Sequence, residues 1–296
     1  MNFLSLKKFF AFAGLFLLTA GVSAVAAPTL TQDCDRVEEP VAFNYCITRT
    51  QGSQSQDLLY YFHGLGGSAD NYFRNAEAAK VRARWEERGV EAPTVVSISF
   101  GAFWLLTRQT KDVKTSGMVE AVTKVIIPMI EKKILKWCPH CTGGKRLILG
   151  NSMGGFNGAK MVMHAGDLFD RAVLACPAMV NLSPFSSKEE IEDYTTRTGA
   201  FPHLVGQMIY LGTMFFPTPE VWEAESLFSV ANKTLSEKTP NLMIAIGDKD
   251  DWGFQEGAEE FVMLARKLGV DVEWELIPGG RHCTYNEEKA ADFLVP

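Results

Sequence analysis

The chain has 296 residues, 47% of them hydrophobic, 22% charged and 11% aromatic, which excludes a disordered or collagen-like polypeptide. Its formal net charge of −6 makes it a poor general binder of nucleic acid, because nothing in bulk offsets phosphate repulsion. The length suits one large α/β domain or two small ones.

Residues 1–26 read as a secretory signal. Lys7 and Lys8 form a basic start, Phe9–Ala20 is an apolar run, and Ala24-Val25-Ala26 supplies small residues for a signal peptidase. The run is shorter than the roughly 20 apolar residues a spanning helix needs, so no stable membrane anchor is expected after cleavage. The expectation is a secreted or periplasmic protein whose domain covers residues 27–296. Six cysteines in an exported chain favour disulfides. Cys34 and Cys46 flank a short segment and could staple it. Cys138 and Cys141, in Trp137-Cys138-Pro139-His140-Cys141, look like the dithiol of a thiol–disulfide oxidoreductase. That dithiol normally opens a helix after a strand, whereas this pair follows a predicted helix and precedes Gly143-Gly144, so a local structural disulfide is preferred. Cys176 and Cys283 are left free or paired.

From residue 58 onward, short apolar runs alternate with helix-like segments. Strands are expected at Leu58–Phe62, Thr94–Phe100, Arg146–Leu149, Ala172–Ala175, Leu242–Ile246 and Val272–Ile277. Helices are expected at Met118–Ile134, kinked at Pro128, at Gly154–Ala165 and at Gly257–Leu268. This rhythm predicts a mostly parallel sheet with helices on both faces. Residues 180–235 break it. They show no strand, a helix signal at Ser187-Lys188-Glu189-Glu190, an apolar segment Phe201–Phe216 and a further helix near Pro219. They read as an insertion that covers something.

Gly150-Asn151-Ser152-Met153-Gly154 fits Gly-x-Ser-x-Gly, with a strand before it and a helix after. A nucleophilic serine on such a turn needs small neighbours two residues away. It also gains the positive end of the helix dipole beneath the developing charge. His63-Gly64-Leu65-Gly66-Gly67 follows the first of these strands, and its main chain could turn N–H groups toward a substrate carbonyl. The backbone N–H groups of Leu65 and Met153 are assigned as oxyanion donors, each worth about 3–4 kcal/mol by analogy with other acyl-transfer enzymes. No Lys-Ser/Thr follows the glycines, so a nucleotide P-loop is not supported.

A serine hydroxyl needs an imidazole to take its proton, and the imidazole needs a carboxylate to hold its tautomer. Of five histidines, only His282 sits late in the chain at a strand end. Gly247-Asp248-Lys249-Asp250-Asp251 offers the acid, with Asp248, Asp250 and Asp251 all open. Trp104, Met179 and Trp252, each just after a strand, are candidate pocket walls. No cluster other than the Cys138 pair has ligand spacing, so neither a metal nor a cofactor is implied.

These motifs together resemble the α/β-hydrolase superfamily, and within it the esterase group that includes esterase D-like and feruloyl-esterase-like enzymes. The resemblance runs from about Leu58 to the C-terminus. It implies an α/β-hydrolase fold with a helical lid insertion after the sixth strand, matching residues 180–235. It also implies that Asp250, three residues after Gly247, is the acid. The expected activity is cleavage of a carboxylic ester, in a small molecule or a polymer, through an acyl-enzyme formed on Ser152. A peptidase, a thioesterase or a polyester depolymerase would use the same residues. A thiol–disulfide oxidoreductase acting through Cys138 and Cys141, or a binding protein without catalysis, are the rivals of another class.

Overall fold

The computed structural model describes residues 29–39, 41–107 and 117–296; the expected secretory signal over residues 1–26 lies outside them. Two strands that the sequence did not announce open the described chain, β1 (Leu30–Val37) and β2 (Phe43–Thr50). β3 (Leu58–Phe62) is followed by helices α1 (Asn71–Arg74) and α2 (Ala76–Glu87), then β4 (Thr94–Ser99). Next come α3 (Met118–Ala121), a π-helical turn Val122–Ile126 and α4 (Ile127–Trp137). β5 (Arg146–Asn151), α5 (Met153–Ala165) and β6 (Arg171–Ala175) complete the middle of the chain. Four helices follow without a strand: α6 (Lys188–Thr198), α7 (Pro202–Phe215), α8 (Pro219–Glu225) and α9 (Leu227–Thr234). β7 (Asn241–Gly247), α10 (Phe254–Lys267), β8 (Val272–Ile277) and α11 (Glu287–Leu294) end it.

The strands form one sheet in the order β1-β2-β4-β3-β5-β6-β7-β8. β2 runs against both of its neighbours, and the pairs from β4 to β8 are parallel. The six strands expected from the sequence are the six parallel ones, and both faces of β3 to β7 are covered. Leu58, Tyr60 and Phe62 of β3 enter one core cluster and Leu59 and Tyr61 enter the other. That alternation puts successive residues of one strand on opposite faces.

Helix starts follow local chemistry. Ser187 accepts from the Glu190 N–H while the Glu190 carboxylate accepts from the Ser187 N–H, a reciprocal cap that opens α6. The expected kink at Pro128 takes a specific form. Pro128 stands in the first turn of α4, where its missing N–H costs little, and the π turn precedes it.

The four-helix stretch is pinned to the body by one buried ion pair. Lys160 on α5 donates to the Glu225 carboxylate at 2.6 Å, and both side chains are fully buried. The Thr107 N–H and hydroxyl also donate to that carboxylate, at 3.1 and 2.7 Å. Burial pushes the Glu225 carboxyl up, but the Lys160 charge and these hydrogen bonds outweigh it and leave it below its usual value. Its stabilising contribution is therefore present at neutral pH and is lost as the pH falls through the lowered value. Replacing Lys160 by Met should remove a fully buried charge from beside the Glu225 carboxylate and destabilise the protein by about 3 kcal/mol, read by urea unfolding.

Candidate functional site

The turn between β5 and α5 holds Ser152 at φ 55° and ψ −116°, a left-handed backbone that a non-glycine residue adopts only when its surroundings enforce it. Steric closeness enforces it here. A Cβ on Gly154 would collide with the Phe62 carbonyl oxygen, and one on Gly150 would collide with the Gly154 carbonyl. The Ser152 N–H donates to the Ala175 carbonyl at 3.0 Å, and its carbonyl accepts from Gly155, Phe156 and Ala178. The serine is thus raised at the start of α5 and tied to β6.

His282 Nε2 lies 3.0 Å from Ser152 Oγ, across 130 positions of sequence. His282 Nδ1 lies 2.6 Å from Asp250 Oδ2. A carboxylate oxygen can only accept, so Nδ1 carries the proton toward Asp250 and Nε2 is left to accept from the serine hydroxyl. The second Asp250 oxygen accepts from the Trp252 N–H at 2.9 Å and the Phe254 N–H at 3.4 Å, at the entry to α10. These bonds fix the carboxylate, whose residue is only 1% exposed.

The three aspartates left open by the sequence are separated by their partners. Asp248 accepts from the Gly279 N–H at 2.6 Å, and Asp251 pairs with Arg281. Only Asp250 reaches the imidazole. The other histidines lie elsewhere. His140 is beside Cys138, His203 stacks on Phe201, and His164 is pushed down to about 4 by burial. His63 is buried under the glycine loop, where burial lowers its pKa. His63 Nδ1 donates to the Gly64 carbonyl at 2.8 Å, and Nε2 accepts from the Ser99 hydroxyl at 2.8 Å. The Gly64 carbonyl also accepts from Gly67. In a planar trans peptide the Leu65 N–H then points the opposite way. Among the described residues neither that N–H nor the one of Met153 has a hydrogen-bond acceptor.

Ser152, Leu65, Met153, Trp104, Trp252 and Phe254 line one cleft. Trp252 and Phe254 also pack against the His282 ring, with centroids 6.1 and 5.7 Å away. Of the three candidate pocket walls, Trp104 and Trp252 line this cleft and Met179 does not. Its side chain is fully buried, and its carbonyl lies so close to Gly257 of α10 that a Cβ there would not fit. The chain after β6 turns inward at Met179 and delivers Ala178 to the cleft instead. Met208 and Leu211 of α7 are further walls that the sequence reading missed, since no sequence signal showed which side of that uncharged helix faces inward.

All six cysteines are paired, as Cys34–Cys46, Cys138–Cys141 and Cys176–Cys283. Cys34 and Cys46 stand directly opposite in the β1–β2 register. Cys138 and Cys141 are buried at the C-terminal end of α4, where helix carbonyls disfavour a thiolate. Cys138, His140 and Cys141, and likewise Cys176, His282 and Cys283, hold three potential metal ligands within 4.8 Å. In each set two of the three are sulfurs already bonded to each other.

Residues 140–294 match the model of the prolyl oligopeptidase family. No curated protein matches the sequence. Among solved structures, a ferulic acid esterase is similar with a TM-score of 0.61 at 15% identity, over 90% of this chain and 94% of that one. A fungal esterase from Rhizomucor miehei gives 0.64 at 15%, covering 90% and 83%. Carboxyl esterase 2 from the mycorrhizal fungus Tuber melanosporum gives 0.61 at 17%, covering 92% and 83%. These likenesses show that the chain has the α/β-hydrolase fold.

Ser152, Cys176 and Cys283 are the non-glycine residues with positive φ among those described, and the Cys176–Cys283 bond joins the β6 end to the residue after His282. The double variant Cys176→Ser/Cys283→Ser should lose about 2–4 kcal/mol of stability in urea unfolding, because the bond closes a long loop. The Cys138→Ser/Cys141→Ser variant, whose bond spans a separation of 3, should lose less.

Proposed function

The chain belongs to the prolyl oligopeptidase family, and on that premise we propose an exported serine hydrolase that cleaves a carboxylic ester through an acyl-enzyme. The observation that carries the reading is the hydrogen-bonded series from Asp250 through His282 to Ser152 at the mouth of an apolar cleft. Export is supported by the three disulfides, which suit an oxidising compartment, and by the signal-like first 26 residues. No helix among the described residues is long and apolar enough to cross a membrane.

In this mechanism Ser152 Oγ attacks the ester carbonyl carbon while His282 Nε2 takes its proton. Asp250 stabilises the imidazolium that forms, and the N–H groups of Leu65 and Met153 receive the oxyanion. The Met153 N–H begins α5, so the helix dipole adds to that stabilisation. His282 then returns the proton to the leaving alkoxide, and the acyl group stays on Ser152. A water activated by the same imidazole attacks in turn and frees the acid. The residues from Lys188 to Thr234 act as a lid, since α7 contributes Met208 and Leu211 to the cleft.

The family name favours a second reading, a peptidase on the same three residues. A peptide brings polar main-chain groups on both sides of the scissile bond, and each must find a partner when buried. The cleft walls beside Ser152 offer apolar side chains and two indoles, which suits an ester better.

Replacing Ser152 by Ala should lower turnover of a short p-nitrophenyl ester by about 10⁴-fold or more while leaving thermal unfolding unchanged. It should also abolish labelling by a fluorophosphonate, which reacts only with an activated serine. A panel of acyl esters, thioesters and peptide anilides separates the readings. Faster cleavage of the anilides would put the peptidase first.

A further inference from the structure

Next to the cleft that holds Ser152 lies a second cavity, and the two share Trp104, Ala178, Met208 and Phe254. Most of its other walls belong to the stretch between β6 and β7, including Val180, Leu182, Phe216 and Trp222. The aromatic walls pack edge to face. Trp104 meets Phe156 at 4.8 Å between centroids, and Phe216 meets Trp222 at 5.0 Å. The floor stands on α5 and α10 through Phe156 and Phe254. The roof is held down by the buried Lys160–Glu225 pair at the end of α8.

Resting on the ester-hydrolase reading, we propose that this inner chamber binds the acyl group, and that the group is an unbranched aliphatic chain rather than a hydroxylated aromatic acid. No side chain on its walls carries a carboxylate, amide, hydroxyl or ammonium group; the polar groups they offer are the indole N–H donors of Trp104 and Trp222. A phenolic hydroxyl entering the chamber gives up water and meets no side-chain oxygen to accept its proton. Leaving such a donor unsatisfied costs it binding. A polymethylene chain loses nothing and gains with every carbon buried.

The order of events assigns the chamber to the acyl side. The acyl group stays on Ser152 through both half-reactions, so the more enclosed of the two recesses can hold it. The alcohol must escape before water can replace it beside His282, so it needs a path to solvent. Val180 lines the chamber but not the cleft, so it can change the one without touching the other. Phe216 likewise lines the chamber and not the cleft, and packs between Phe156 and Trp222.

The test measures kcat/KM on p-nitrophenyl esters from acetate to decanoate and on p-nitrophenyl ferulate, which shares their leaving group, for the unmodified protein, Val180→Phe and Phe216→Ala. In parallel, Kd is measured for n-alkyl boronic acids of graded length, which bond to a serine oxygen without being turned over. The expected result is a gain of about fourfold per methylene, the equivalent of about 0.8 kcal/mol, up to a limiting length. Val180→Phe should abolish that gain, lowering turnover of the longer esters at least about tenfold more than turnover of the acetate. Phe216→Ala should move the limit to longer chains. The p-nitrophenyl ferulate should be cleaved at least about tenfold more slowly than the best aliphatic ester. A flat dependence on chain length, a preference for ferulate, or an equal loss on every ester in Val180→Phe would overturn the proposal. Boronic acids that tighten with length while no ester is cleaved would uphold the chamber and refute the ester reading instead.

Discussion

A close approach of backbone to backbone sets the geometry of this molecule. Where β5 meets α5, the Gly150 and Gly154 main chains pack so tightly against each other and against Phe62 that no side chain fits. The chain can pass only if the residue between them adopts a left-handed conformation. Ser152 takes that conformation and is lifted off the sheet. Its hydroxyl meets an imidazole from the far end of the chain, and its carbonyl gathers three amides behind it. The strain is local, and the hydrogen bond from Ser152 to the β6 end spreads its support over the neighbouring strand.

The other half of the site is held from the opposite direction. Asp250 is clamped by amides at the start of α10 before it ever meets the imidazole, so its orientation comes from the fold. His282 is confined by two aromatic rings, by that carboxylate, and by a covalent bond at the next residue. Each member of the series is thus fixed by contacts other than the ones it makes with its partners. That is the condition under which a hydrogen-bonded series keeps its geometry while charge moves along it.

Much of this was legible in the sequence because strands β3 to β7 are buried on both faces and so read as apolar, while β8 alternates apolar and charged residues. The two N-terminal strands were not. β1 is an exposed edge whose residues alternate weakly, and the sequence there reads as polar loop. Helices α2 and α11 were missed for a similar reason, being rich in alanine and charge with few apolar residues to set a period. Ser152 and His282 could be named because motif and position constrain them. The choice among Asp248, Asp250 and Asp251 rested on a family resemblance, since the spacing alone treats them alike. Met179 misled because position after a strand says nothing about which way the chain turns. The Lys160–Glu225 contact joins residues 65 apart and left no trace in the pattern.

The bond between Cys176 and Cys283 spans a sequence separation of 107 and encloses the whole stretch from α6 to β8 in a covalent ring. A protease that nicks the chain anywhere between β6 and β7 cuts that ring once. The fragment carrying Ser152 and the fragment carrying Asp250 and His282 stay joined as one molecule. The helices of that stretch can therefore be cut without Ser152 and His282 drifting apart, so long as the surroundings remain oxidising.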